Sequence, residues 1–354
     1  MAFLGIAGEG ETMRKVYYLF LFVVLYAIPG RGQTFEPLTP VQTIELPDVP
    51  EGPYTDHLCV DTKGHRLFTT MQAQKAVAVV DLDTGKVLKN IPVGNPHSCA
   101  YRSDLDQLYV ADGDPMQPGL KVFSARDYHL VKAIGLEKRS DSMVYDPNSK
   151  LLYIVNGGAS GKLDYSLISI INTTTSERVG DVKVASEVLE DMDIAPSGSR
   201  LYITEEDANK VVVVDPQKRS VLQTWPITKG STPVATAVDE LHHRLFVACR
   251  TTDLHGVIVV IDTDTGKELR ALPIGGWLDY MVFDAQSGRI YGVCGVGDIY
   301  VYQQLAPDNY VLLGKAETAL MAKTGLLVPE SRRFYVAVPM MAWKPARILV
   351  FQVE

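Results

Sequence analysis

The chain has 354 residues, room for two average domains or one large all-β or repeat domain, and 46% of them are hydrophobic, which excludes a disordered polymer. Its formal charge of −8, with no run of Lys and Arg to supply a basic patch, argues against nucleic-acid phosphates as a partner. Four cysteines are too few for a disulfide framework.

The first predicted element is a leader. Arg14 and Lys15 precede the apolar run Val16–Ile28, and the small residues Gly30 and Gly32 follow it. A charged start, a short apolar stretch and small residues before a cleavage point read as a secretory signal. The run has 13 residues, short for a bilayer span, so no stable membrane insertion is expected after cleavage. An uncleaved anchor is the alternative. Met13 reads as a better initiator than Met1. Residues 1–32 are therefore assigned to a signal peptide and 33–354 to one domain, with a mature N-terminus at or near Gln33. Cleavage there removes two acids and three bases and leaves a net charge of −9. The expected location is the periplasm or the extracellular space.

After the leader comes a lone strand, Val41–Leu46, and then a repeat. Aligning "RLFTT", "QLYVAD", "LLYIVN", "RLYITE", "RLFVAC", "RIYGVC" and "RFYVAV" on their second residues gives Leu67, Leu108, Leu152, Leu201, Leu245, Ile290 and Phe334. The steps are 41, 44, 49, 44, 45 and 44 residues, the period of a propeller blade. Each unit reads as four strands. In the fifth they are Val234–Asp239, Arg244–Cys249, Val257–Asp262 and Lys267–Ile274. Third strands such as Val211–Val214 are apolar at consecutive positions, which means burial on both faces. The final unit lacks a fourth strand, and Val41–Leu46 is spare. If it completes the last blade, the ring closes and no sheet edge is left open. The expected fold is an all-β, seven-bladed propeller of four-stranded antiparallel blades, closed by an N-terminal strand. A linear β-solenoid is the alternative.

"YVAD" at Tyr109–Asp112, "YIVN" at Tyr153–Asn156 and "YITE" at Tyr202–Glu205, with "VVVVD" and "DTGK" following, resemble the YVTN-repeat, YncE-like seven-bladed propellers. The resemblance covers nearly all of the chain after the leader and is specific for fold. The wider lactonase-like superfamily spans lactonases, dehydrogenase subunits and surface-layer proteins, so the likeness implies no single activity. DNA binding occurs among YncE-type relatives, but the charge argues against it here.

Function is expected where the sequence varies. Links between second and third strands differ from unit to unit, as in "DGDPMQPG", "CRTTDLHG" and "PMMAWKPA". The starts of the innermost strands are more telling. Counting five residues back from Asp61, Arg102, Asp146, Ala195, Asp239, Asp284 and Pro329 gives Asp56, His97, Asp141, Glu190, Val234, Asp279 and Thr324. One residue further on lie His57, Ser98, Ser142 and Asp191. Innermost strands converge on the axis, so Asp56, His57, His97, Asp141, Glu190, Asp191 and Asp279 should ring one channel mouth. Bare carboxylates held together repel unless a cation joins them. Asp56, His97, Asp141 and Glu190 are the candidate ligands for a divalent cation, the one cofactor the sequence hints at. The plain alternative is a wet polar mouth whose carboxylates only cap turns.

Other signals are weaker. Cys249 and Cys294 occupy equivalent positions and read as buried free thiols rather than a bridge. Asn172 heads a glycosylation sequon, meaningful only in a eukaryotic secretory path. No HExxH, CxxCH, P-loop or nucleophile elbow occurs. The expected role is a secreted, monomeric binding protein for a small molecule, peptide or partner protein. The alternative is a metal-assisted, lactonase-like hydrolase or lyase.

Overall fold

The computed structural model describes residues 36–52 and 54–354. The assigned signal peptide, its cleavage point and the start at Met13 lie outside the described residues. Among the described residues, twenty-eight strands form seven four-stranded antiparallel sheets, each a blade of a propeller. The fifth blade matches expectation almost residue for residue: Pro233–Asp239, Arg244–Cys249, His255–Asp262 and Glu268–Gly275.

The consecutive apolar residues of the third strands are used on both faces. In the fourth blade Val212 and Val214 pack toward Tyr153, Val155 and Ile168 of the third. Val211 and Val213 pack the other way, against Leu245 and Val247 of the fifth. Every blade is thus a filling between two others, and a polar residue at any of these positions would lose its water on either side. The aspartates that close the third strands have a local task. Asp215 accepts the backbone N–H of Gln217 and Lys218, and Asp262 those of Asp264 and Thr265, so each side chain holds the tight turn to the outer strand.

Closure follows the predicted scheme. Strand Leu38–Glu45 pairs antiparallel with Arg347–Val353 and completes the seventh blade, starting three residues earlier than the sequence pattern suggests. The register shifts between Pro40 and Gln42, where a proline interrupts the ladder. Ile44 and Leu46 enter a core shared with Leu67 and Val80 of the first blade and Ile348 of the seventh. Leu38 packs instead with Val301 of the sixth. One short strand therefore secures both neighbours of the seam.

Cys249 and Cys294 are buried and unbridged, as expected. The other two cysteines are not: Cys59 and Cys99 form a disulfide with Cα atoms 5.8 Å apart. Their separation of 40 residues is nearly one blade step, which puts them on the innermost strands of the first two blades.

Candidate functional site

A cavity of about 240 Å³ opens at one end of the propeller axis, and all seven blades line it. Asp56, His97 and Asp141 come from the first three blades, Glu190 from the fourth. Arg250, Asp279 and Lys323 come from the fifth, sixth and seventh. Six of the seven positions counted from the sequence line this mouth. The seventh, Thr324, is buried and donates its hydroxyl to the carbonyl of Asp56, while its neighbour Lys323 faces the cavity. His57 and Asp191 line both the mouth and a second cavity of about 260 Å³ beneath it, which continues the channel past Asp193 and Tyr280.

The strand starts bring Asp56, His97 and Asp141 together. His97 Nδ1 lies 3.3 Å from Asp56 Oδ2 and 3.2 Å from Asp141 Oδ1. One imidazole nitrogen and two carboxylate oxygens lie within 4.8 Å of one another, a donor set suited to a divalent metal. Burial works against a charged imidazole, but the carboxylates of Asp141 and Asp56 outweigh it and push His97 up to about 10. Burial would likewise raise Asp141, yet His97 and Arg139 hold it down at about 2. Gln72 donates to Asp56 Oδ2 at 2.9 Å, and Ser98 donates to the carbonyl of Asp141.

The remaining acids have other partners, and here the expected ring of bare carboxylates is corrected. Glu190 does not join the His97 cluster; it pairs with Arg139 at 2.5 Å, and the same guanidinium reaches Asp141 at 3.7 Å. Burial pushes Glu190 up to about 8; Arg139 pulls the other way, and the adjacent Glu206 adds to the rise. Asp279 is held by both Arg250 and Lys323. Asp191 accepts the backbone N–H of Thr236 at 2.9 Å and the hydroxyl of Ser142. Burial also raises Asp193, to about 7, with Asp191 adding to the effect. The protein thus supplies its own cations. Counting strand starts overlooked them because they stand one or two residues ahead of a counted position, as Lys323 and Arg139 do, or just past a second strand, as Arg250 does. Only their proximity to the counted positions could have flagged them.

Tyr54 lines the mouth, and links that lead to or from the inner strands of the fifth to seventh blades carry exposed apolar side chains. Leu254, Trp277, Leu320, Trp343 and Tyr54 are exposed, Trp343 by 84%. Ala342 and Trp343 turn between Met341 and Lys344 with φ of 49° and 65°, a left-handed pair that hairpins usually build from Asn and Gly. Glu51 accepts the N–H of Ala342 and steadies the turn.

Fold and site together define a seven-bladed β-propeller with a charged axial mouth. Over 98 residues the chain is 29% identical to a protein described as "Uncharacterized protein YncE" from Salmonella typhi, and 28% identical to one of the same description from Salmonella typhimurium. Each match covers 28% of this chain and 27% of the relative, so about a quarter of those proteins is spanned. The YncE-like resemblance read from the repeats therefore has support in sequence as well as in blade number. No family profile matches the chain. Among solved structures, a chain of Kuenenia stuttgartiensis hydrazine synthase superposes with a TM-score of 0.71 at 18% identity, covering 85% of this chain and 97% of that one. A chain of a mitotic checkpoint complex gives 0.70 at 13% identity, covering 96% and 99%. These likenesses concern the fold alone.

Proposed function

We propose that this is an exported propeller that binds a cation at its axial mouth, either a divalent metal ion or the basic group of a small molecule, peptide or partner protein. The observation that carries this reading is the Asp56–His97–Asp141 cluster. A divalent ion there would be held by His97 Nδ1 and one oxygen from each aspartate, replacing the proton that now lets the imidazolium bridge them. The exposed apolar side chains on the links of the fifth to seventh blades support contact with the rest of a larger ligand, because strained, exposed aromatic turns cluster where binding occurs. Export is supported by the disulfide, which persists in oxidising compartments, and by the leader pattern in residues 1–32. Among the described residues no helix is long and apolar enough to cross a membrane. The overall charge of −8 disfavours nucleic acid, and the reading takes the working form to be a monomer.

The test is a thermal-shift screen of the chain from Gln33 onward against Ca²⁺, Mn²⁺, Zn²⁺ and polyamines. A ligand at 100 times its dissociation constant should stabilise the fold by about 2.7 kcal/mol. Asp56→Asn with Asp141→Asn should abolish the gain, since amides keep the shape and lose the charge. If nothing shifts the wild type, or the double variant shifts equally, the mouth is only a wet channel opening.

A second reading, a metal-assisted hydrolase or lyase of the lactonase-like kind, is favoured by Glu190. Burial and the adjacent Glu206 raise its carboxyl toward the protonated state a general acid needs, against the pull of Arg139. A bound ion would polarise a substrate carbonyl there. Turnover of a lactone panel in the presence of Mn²⁺, lost in Glu190→Gln, would favour it over binding alone.

A further inference from the structure

The gap between the first and second blades is tied at the very point where Asp56 meets His97. Cys59 stands three residues after Asp56 and Cys99 two residues after His97, and their disulfide joins the two innermost strands. Beside it the His57 N–H donates across the gap to the carbonyl of His97 at 3.2 Å. The buried hydroxyl of Thr70 lies 2.9 Å from the His57 carbonyl and 2.7 Å from that of His97. Each blade has its own ladder, so the distance between Asp56 and His97 depends on what crosses the gap. Among the described residues the disulfide is the one covalent cross-link between blades besides the chain links that run from each outer strand to the next inner one.

We propose that the Cys59–Cys99 disulfide positions the Asp56–His97 half of the mouth cluster, so that its reduction loosens the cluster and weakens cation binding there. The idea rests on the cation-binding reading above. It gives the bridge a role beyond bracing: the seven sheets and the seam strand already close the ring without it. Both cysteines belong to the core between the two blades, and the channel is the route by which a small reductant would reach their bond. Cys99 lines the channel beneath the mouth, and Cys59 and Cys99 retain 8% and 9% of their exposure. A dithiol reductant would supply two electrons and two protons, break the S–S bond and leave two thiols, itself becoming a disulfide. Oxidation would reverse the step and restore the site.

The test compares the oxidised chain from Gln33 onward with the Cys59→Ser/Cys99→Ser variant, and with wild type reduced and then freed of reductant. The second form covers the case in which the serine variant fails to fold. Two quantities are read: Mn²⁺ affinity by calorimetry, and hydrogen exchange of the His57 amide, which reports the gap whether or not metal binds. Opening the bridge should speed His57 exchange at least tenfold while amides within Ala76–Asp81 keep their protection, and should weaken Mn²⁺ binding about 10–100-fold, the usual cost of losing a support behind a metal ligand. Unchanged His57 exchange in the folded, reduced chain would overturn the proposal, as would faster exchange with unchanged affinity. If the oxidised chain binds no Mn²⁺ and His57 still responds, the cation reading fails while the bridge's hold on the gap stands.

Discussion

Closure of the ring hangs on one strand, and a single side chain on it can be weighed. Ile44 is 2% exposed, lies opposite Ile348, and sits in the core that joins the seventh blade to the first. Cutting it to alanine should cost about 2–5 kcal/mol, the lost transfer energy plus the cavity left between blades that cannot slide together. Val41, on the same strand but 48% exposed, is the internal control: Val41→Ala should stay within about 0.5 kcal/mol of wild type. Deleting the whole strand removes the burial of Leu38 and Ile44 together, each worth about 1.5–3 kcal/mol, and opens the edge of Arg347–Val353. That loss is a large part of a typical stability of about 5–15 kcal/mol, so the deletion should aggregate or unfold near room temperature. The assay is urea unfolding followed by tryptophan fluorescence, with Trp225 buried in the core as reporter. Equal midpoints for Ile44→Ala and Val41→Ala, or an unchanged midpoint in the deletion, would refute closure by this strand.

Three further outcomes are expected. In the folded chain Glu190 keeps its proton up to about 8, whereas a free glutamate loses it near 4.5. Between those values the folded state binds more protons, so stability falls as pH rises; Glu190→Gln should flatten that fall in chemical melts at pH 5 to 8. Burial pushes both Cys249 and Cys294 up to about 12, so a thiol reagent should find almost nothing in the native chain, two thiols after unfolding and four only after reduction. Trp343→Gly should stabilise the fold by about 1 kcal/mol in the same urea assay, by relieving a left-handed bulky residue, and should weaken any ligand that uses that side chain.

The fold was legible because its determinants repeat. A strand buried on both faces must be apolar at nearly every position, a short polar side chain such as Asp81, Asn172, Asp215 or Asp262 holds the turn that follows, and the pattern recurs about every 44 residues, from Leu108 to Leu152 and from Leu201 to Leu245. The seam strand was legible for the same reason: a ring of equal units with one strand short and one spare has a single tidy solution. The positions facing the channel were legible too, since register along an innermost strand converts counting into geometry. What could not be read was which charge answers which. Arg139 and Lys323 sit in the links that arrive at those strands, and Arg250 sits past the end of a second strand. Nothing in the blade pattern fixes the path of a link, so its side chains have no register to count from. The disulfide was hidden in a related way. Cys59 lies two residues before Asp61 and Cys99 three before Arg102, so the two are not at matching repeat positions. Cys59 faces Phe68, and Cys99 faces Val110, one rung further from the Arg102 end of its strand than Cys59 is from the Asp61 end; the register of the second blade shifts only before Cys99, between Pro96 and Cys99. The blade core thus repeats under a constraint that the mouth does not share, and the chemistry of the mouth lies in those departures from the repeat.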